Sequence, residues 1–189
     1  MTPEGAPDAT VPYMAAGRSE RHAPMRVQAT LFLPPPVHQV VEEIRERWDP
    51  GMAQLVAAHV TLVHQVDEPS GFLQRLTRIA AATAPIELLL THAACWGSPG
   101  GGIYMAVEDS LGGIAGLRHS LLVTDPPGVV YTPHVTLLHP RTVTPTRARA
   151  AWTLLHDLQV DQPVTIDEVA LVQKRGQRCE LVNQVRLTG

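Results

Sequence analysis

The sequence has only two cysteines, no long apolar run and no excess of positive charge, and each absence excludes a class of protein. Cys95 and Cys179 lie far apart, without the close spacing of a zinc finger or a Cys-x-x-Cys redox motif. We therefore expect two buried, reduced thiols in a cytoplasmic protein. No apolar run approaches the length of a membrane-spanning helix. The N-terminal segment also lacks the apolar core of a secretory signal.

The charge balance argues against a protein that binds long nucleic acid mainly through its phosphates. Fifteen lysines and arginines face 18 aspartates and glutamates, which gives a formal net charge of −3. Proteins that hold long nucleic acid mainly through its phosphates are usually basic. The remaining composition, 44% hydrophobic and 17% charged, is that of an ordinary globular protein. A chain of 189 residues is long enough for one domain with its own core.

The chain divides into a tail and a repeated domain. Residues 1–25 are rich in Pro, Ala and Gly without periodicity, which predicts a disordered tail. Residues 26–189 predict a single domain built from two repeats, about 26–96 and 102–187, each reading strand–helix–strand–helix–strand. Val27 precedes His59 by 32 positions and Ile103 precedes His134 by 31, and this matching spacing indicates a duplication.

Apolar spacing and breaker residues set the expected elements. We predict helices over 37–48, 72–82, 111–122 and 146–158, and strands over 27–33, 59–66, 86–94, 103–107, 134–139, 164–173 and 179–187. The fold class is therefore α+β, with mainly antiparallel sheets in two lobes, helices outside and a central cleft between the lobes.

The tetrapeptide His-Val-Thr-Leu occurs twice, at 59–62 and at 134–137. Chance alone predicts roughly 0.01 occurrences in a chain of this composition. Residues i and i+2 of a strand share one face, so His59 and Thr61 point the same way, as do His134 and Thr136. The Val and Leu residues then face the helices. If the lobes face each other, two imidazoles and two hydroxyls converge.

Two imidazoles and two hydroxyls suit attack at phosphorus. One histidine can take a proton from water while the other gives a proton to the leaving oxygen. Each threonine hydroxyl can donate a hydrogen bond to a non-bridging phosphate oxygen, where charge builds up. This chemistry needs no metal.

Paired HxTx motifs in a duplicated α+β chain of this size resemble the 2H phosphoesterases. The chain is most similar to the LigT-like group, known as RNA 2′,3′-cyclic phosphodiesterases or 2′-5′ RNA ligases. The resemblance covers about residues 26–187 and includes the prolines at 34–36 and the Tyr-Thr-Pro at 131–133. It implies a bilobal fold, no cofactor, cyclic phosphodiester substrates and catalytic roles for His59, Thr61, His134 and Thr136.

The function we expect is metal-independent hydrolysis of a 2′,3′-cyclic phosphate, on an RNA end or a nucleotide, leaving a 2′-phosphate. His134 would activate water and His59 would protonate the leaving oxygen, although the pseudo-symmetric motif leaves the reverse assignment open. The enzyme is expected to be a monomer. The alternatives are 2′-5′ RNA ligation and a nucleotide-binding module without turnover. The substrate stays open among tRNA, an oligonucleotide, a cyclic mononucleotide and an ADP-ribose cyclic phosphate.

Four further residues are candidates for substrate binding. Tyr104 and Tyr131 lie near the predicted cleft and could stack on a base, with core packing as the alternative. Arg141 and Lys174 could meet phosphates, with a solvated surface position as the alternative. Many LigT-like proteins carry a basic residue soon after the second motif, whereas here residues 138–140 intervene before Arg141.

Three other features are predicted to be structural. His64 and His139 recur five positions after the motif histidines, but residues i and i+5 fall on opposite faces of a strand, so we predict no metal site. The glycine-rich segment 97–102 is a linker between the repeats. Trp96, like the other two tryptophans, is expected in the core.

Overall fold

The computed structural model describes residues 27–66, 69–122 and 131–189. The predicted tail, residues 1–25, lies outside the described residues. The strands are β1 (Val27–Phe32), β2 (His59–Val66), β3 (Ile86–Cys95), β4 (Ile103–Glu108), β5 (His134–Leu138), β6 (Gln159–Ile166), β7 (Glu168–Arg175) and β8 (Arg178–Arg186). The helices are α1 (Val37–Trp48), α2 (Pro50–Leu55), α3 (Pro69–Ala80), α4 (Gly113–Leu121) and α5 (Pro145–Leu155). Within these ranges, no helix is long and apolar enough to cross a membrane.

All eight strands join one sheet in the order β6-β3-β4-β5-β2-β1-β7-β8, and every neighbouring pair is antiparallel. This confirms the predicted α+β class and the antiparallel pairing. The sequence predicted separate sheets in two lobes, whereas the structure has one continuous sheet. Its two four-stranded halves are linked because Val60 on β2 pairs with Val135 on β5. The two motif strands are therefore neighbours at the centre of the sheet.

The sheet is strongly bent. Strands β6 and β7 are six strand spacings apart in the sheet order, which would separate them by about 29 Å if the sheet were flat. Only Asp167 joins the end of β6 to the start of β7. The two halves of the sheet must therefore curl toward each other, as the predicted cleft requires. We predicted a single strand over 164–173, and the structure divides it because β6 pairs with β3 while β7 pairs with β1.

The two repeats exchange their third strands. Strand β3 of the first repeat pairs with β4, the first strand of the second repeat. Strand β7 of the second repeat pairs with β1, the first strand of the first repeat. The helices cross in the same way, because α1 packs against β5 while α4 packs against β2 and β3. The repeats are thus interleaved in space, although they are consecutive in the chain.

Alternate residues of the two motif strands, β2 and β5, point to opposite faces of the sheet. Val60, Leu62, Val135 and Leu137 are completely buried and belong to one hydrophobic core with residues of the helices. Thr61, His134 and Thr136 are half-buried on the other face. This confirms the predicted orientation of the Val and Leu residues toward the helices.

Helix α2 was not predicted. Asp49, Pro50 and Gly51 end α1, but Asp49 also caps a new helix, because its carboxylate accepts the backbone N–H of Met52 at 3.0 Å. Pro50 occupies the first turn of α2, where its missing N–H costs nothing. The same three residues therefore end one helix and begin the next.

Candidate active site

The central strand pair brings the four motif side chains together. With Val60 opposite Val135 in an antiparallel register, His59 lies toward Thr136 and Thr61 lies toward His134. Each imidazole thus has a hydroxyl of the other motif across the strand pair. His59 is the most enclosed of the four, with 9% of its surface exposed.

The two imidazoles are held in the same way. The Nδ1 atom of His59 lies 2.7 Å from the carbonyl oxygen of Ala57, and the Nδ1 atom of His134 lies 2.8 Å from the carbonyl oxygen of Thr132. A carbonyl oxygen only accepts hydrogen bonds, so we assign the hydrogen of each neutral ring to Nδ1. The Nε2 atom of each ring is then the one available for proton transfer.

Gln28 on β1 is a site residue that the sequence analysis missed. Its amide nitrogen lies 3.1 Å from Nε2 of His59 and donates to Oγ1 of Thr61 at 3.2 Å. One side chain therefore bridges the two polar groups of the first motif. The available signal was a long polar residue inside the apolar strand β1, two positions before Thr30, which pairs with Thr61.

Burial lowers the pKa of His59 to about 4. The hydrogen bond to the carbonyl of Ala57 opposes this shift, whereas the positive charges of Arg45 and of protonated His134 add to it. His59 is therefore neutral at neutral pH.

A buried ion pair holds the chain around Ala57, whose carbonyl oxygen contacts the ring of His59. Arg45 is 1% exposed and donates to the carboxylate of Glu42 and to the carbonyl of Val56 at 2.7 Å. The same Glu42 oxygen accepts the backbone N–H of Ala58. Helix α1 thus holds the chain on both sides of Ala57, whose carbonyl orients the His59 ring.

Two aromatic rings surround His134. The ring centroids of Trp96 and Tyr104 lie 5.3 and 5.4 Å from the imidazole, and they lie 4.9 Å from each other. The Tyr104 backbone pairs with Thr136, so Tyr104 is found beside the second motif. The prediction of Trp96 as a core residue is wrong, because Trp96 is half-buried at the end of β3 and joins the site.

Tyr131 has a partner for each part of its side chain. Its hydroxyl donates to the carbonyl of Thr61 at 3.0 Å, and the guanidinium of Arg118 lies 4.3 Å from the centre of its ring. Burial raises the pKa of Tyr131 to about 12. These contacts indicate that Tyr131 helps to hold β2 in place and is not available to stack on a nucleobase.

Arg141 and Lys174 are both exposed. The backbone N–H of Arg141 donates to Nδ1 of His139 in the turn after β5. Lys174 lies near the end of β7, paired with Cys179 of β8. Strand β7 is separated from β2 by β1 in the sheet. In the described part of the chain, no group of three or more His, Cys, Asp or Glu side chains is placed to hold a metal ion.

Comparison with known proteins identifies a matching family and a similar curated protein. A model of the family described as the 2′-5′ RNA ligase superfamily matches residues 33–178. The "putative phosphoesterase" of Geobacillus kaustophilus is 30% identical over 119 residues, which are 60% of this chain and 68% of that protein.

Solved structures share the fold. The TT0787 protein of Thermus thermophilus superposes with a TM-score of 0.65 at 19% identity, over 87% of this chain and 99% of its own. The LigT protein of E. coli, complexed with 3′-AMP, gives a TM-score of 0.60 at 19% identity, over 88% and 100% of the two chains. Other LigT structures contain NADP+, phosphate or ATP.

Proposed function

The chain belongs to the 2′-5′ RNA ligase superfamily, and from this premise we propose that it is a phosphoesterase that hydrolyses 2′,3′-cyclic phosphates to 2′-phosphates. The observation that carries the proposal is the pairing of β2 with β5, which sets two imidazoles and two hydroxyls across one strand pair. Both imidazoles are anchored through Nδ1, so both Nε2 atoms can take part in proton transfer.

The proposed mechanism uses general acid–base catalysis by His59 and His134. One imidazole removes a proton from water, whose oxygen attacks phosphorus, while the other protonates the departing 3′ oxygen of the ribose. Thr61 and Thr136 donate hydrogen bonds to the non-bridging oxygens, where negative charge increases in the transition state. Because Oγ1 of Thr61 accepts a bond from Gln28, its own hydrogen is available for the phosphate.

We propose a cyclic phosphate on an RNA end or a nucleotide as the substrate. The nucleotides in the LigT complexes support this class. Arg141 and Lys174 are exposed, and their proposed role is limited to phosphates beyond the terminal nucleotide. The net charge of −3 favours a short substrate over long RNA. We further propose that the enzyme acts as a cytoplasmic monomer without a metal.

The test is hydrolysis of a 2′,3′-cyclic mononucleotide and of a short RNA with the same end, in the presence of a chelator. We expect a 2′-phosphate product and a loss of about 100-fold or more in kcat for His59→Ala and for His134→Ala. His64→Ala is the matched control, since His64 lies on the same strand as His59 and is exposed.

Three results would contradict the proposal in distinguishable ways. Full activity in both alanine variants would reject the two-histidine mechanism, and loss of wild-type activity with the chelator would reject its independence from metals. Nucleotide binding without turnover would identify a binding module. Joining of RNA ends through a 2′-5′ bond, without hydrolysis, would identify a ligase.

A further inference from the structure

We propose that Arg118 on α4 is a positioning residue for Thr61, which it holds together with Tyr131 through the backbone of β2. This inference rests on the proposed function, in which the Thr61 hydroxyl donates to a phosphate oxygen, and it assigns part of that task to the second repeat. The argument comes from an irregularity in β2, from two side-chain donors beside it and from the contact between those donors.

Strand β2 contains a β-bulge directly after Thr61. The register with β1 passes from Thr61 to Val63, so Leu62 is an extra residue without a partner on β1. On the other side, the register of β2 with β5 within the described residues consists of the single pair Val60 and Val135. The backbone that carries the Thr61 side chain is therefore not fixed by a regular ladder of hydrogen bonds on both sides.

Two side chains bind this stretch of backbone instead. The hydroxyl of Tyr131 donates to the carbonyl oxygen of Thr61 at 3.0 Å, and Nη1 of Arg118 donates to the carbonyl oxygen of Leu62. Burial raises the pKa of Tyr131 to about 12, so the hydroxyl keeps its hydrogen at neutral pH. Leu62 is completely buried, so water cannot replace the guanidinium as a donor. The two carbonyls thus depend on these two side chains.

The two donors also hold each other. The guanidinium carbon of Arg118 lies 4.3 Å from the centre of the Tyr131 ring, within the range of a cation–π contact. Loss of the guanidinium would remove one bond to β2 and would also free the ring that makes the other. Arg118 is therefore the residue on which both bonds depend.

The sequence of α4 places Arg118 where it can reach the sheet. Ile114, Leu117 and Leu121 form the buried face of this helix. Arg118 follows Ile114 by four positions, so it lies at the edge of the same face and is half-buried. Helix α4 belongs to the second repeat and β2 to the first. A residue of one repeat thus orients the phosphate-binding hydroxyl of the other.

The position of Thr61 matters because its hydroxyl has a single hydrogen to donate. Its Oγ1 already accepts a bond from Gln28, so the direction of its own O–H bond depends on where the backbone places Oγ1. A displacement of about 1 Å in such a group can cost about 100-fold in rate. Negative charge on the phosphate oxygen increases in the transition state, so we expect loss of Arg118 to lower kcat more than it raises KM.

Sulfur substitution reports on the Thr61 bond separately from the rest of the site. In a nucleoside 2′,3′-cyclic phosphorothioate, sulfur replaces one of the two non-bridging oxygens, and sulfur accepts hydrogen bonds more weakly than oxygen. The thio effect, which is the ratio of kcat on the oxygen substrate to kcat on the sulfur substrate, is measured for both diastereomers. Thr61→Val lacks the hydroxyl, so the diastereomer whose thio effect decreases in this variant has its sulfur toward Thr61.

For Arg118→Met we expect kcat on the oxygen substrate to fall about tenfold, with less than about a twofold change in KM. The thio effect should decrease at least about threefold for the Thr61 diastereomer and stay unchanged for the other. Arg118→Lys keeps a charged donor and should restore most of kcat. Tyr131→Phe removes only the second bond and should show the same selective decrease to a smaller extent, so it provides the test if Arg118→Met does not fold.

Arg75→Met is the matched control. Arg75 also lies over an aromatic ring, 5.3 Å from the centre of Phe72, and it also donates to a backbone carbonyl, that of Leu121, at 2.9 Å. It is half-buried like Arg118 but bonds to the end of α4 and not to β2. Its loss should therefore leave both thio effects unchanged.

The possible results separate the positioning role from the proposed function. Unchanged thio effects in a folded Arg118→Met variant, or an equal decrease for both diastereomers, would overturn the role of Arg118. No change of either thio effect in Thr61→Val would reject the bond from Thr61 to the phosphate and, with it, the role of Arg118. A wild-type enzyme that is inactive on the oxygen substrate would overturn the proposed function itself.

Discussion

The carboxylate of Asp49 accepts the backbone N–H of His139 at 2.8 Å, across ninety positions of the chain. The same oxygen accepts the hydroxyl of Thr142, and the other carboxylate oxygen accepts the N–H of Met52. Asp49 is 1% exposed, so these bonds are shielded from water. A single buried carboxylate thus connects the start of α2 to the turn that follows the second motif strand.

Asp49→Ala should therefore be strongly destabilising. We expect the free energy of unfolding to fall by about 2 kcal/mol, because α2 loses its cap and the donors on His139 and Thr142 lose a buried acceptor. Urea unfolding measures this change. Asp157→Ala is the control, because Asp157 is exposed and forms an ion pair with the exposed His156, and it should change stability by less than about 0.5 kcal/mol. Equal midpoints for the wild type and Asp49→Ala would contradict the role of this carboxylate.

The buried His59 should make the protein sensitive to acid. Its pKa falls from 6.5 to about 4 on folding, so the unfolded chain takes up this proton first as the pH is lowered. The contribution of neutral His59 to the free energy of unfolding is complete above pH 6.5. It is lost progressively down to about pH 4, where the loss reaches about 3 kcal/mol.

His59→Gln lacks this ionisation and identifies the contribution of the ring. We expect the stability difference between the wild type and His59→Gln to shift by about 3 kcal/mol between pH 7 and pH 4, in favour of the variant at low pH. Denaturant unfolding at several pH values gives the difference. A constant difference over this range would show that the folded protein binds this proton as readily as the unfolded chain, so that folding does not lower the pKa of His59.

Tyr131→Phe should remove a hydrogen bond without removing the ring. The variant loses the donor to the carbonyl of Thr61, and we expect a cost of about 1 kcal/mol in unfolding free energy. Tyr104→Phe is the comparison, because its ring contacts are also retained in phenylalanine. If Tyr131→Phe is as stable as the wild type, the hydroxyl contributes nothing to the position of β2.

Trp96→Ala should weaken substrate binding, because it removes an aromatic ring on which the nucleobase of the substrate can stack. Stacking on an aromatic ring contributes about 1–3 kcal/mol per base, so we expect KM for a nucleoside 2′,3′-cyclic phosphate to rise at least about fivefold. KM for ribose 2′,3′-cyclic phosphate, which has no base, should not change. Trp96→Phe retains a stacking face and should restore most of the affinity. Equal increases of KM for both substrates would argue against a base on Trp96.

The features that follow from local pattern could be predicted from the sequence. The alternation of His, Val, Thr and Leu fixes which side chains share a face, because successive residues of a strand point to opposite sides. The bounds predicted for α1 and for β2 are those of the structure. The convergence of the two motifs also followed, because the repeat places them in equivalent positions.

The features that depend on pairing between distant segments could not be predicted. Gln28 reaches His59 only because β1 lies beside β2, and Trp96 reaches His134 only because the end of β3 lies beside β4. The division of the strand over 164–173 arises from two different neighbours in the sheet. None of these relationships changes the local pattern of apolar and polar residues.

The exchange of third strands means that neither repeat is a self-sufficient folding unit. Cut within the glycine-rich segment 97–102, each fragment would retain its pairing of first and second strands but would lose the neighbour that the other fragment supplies. Two fragments mixed together could restore the native pairings, and two copies of one such repeat could satisfy each other as a symmetric dimer. In such a dimer, the pairings between repeats would form only at sufficient protein concentration. The duplication indicated by the sequence places both repeats in one chain, so the same pairings no longer depend on concentration.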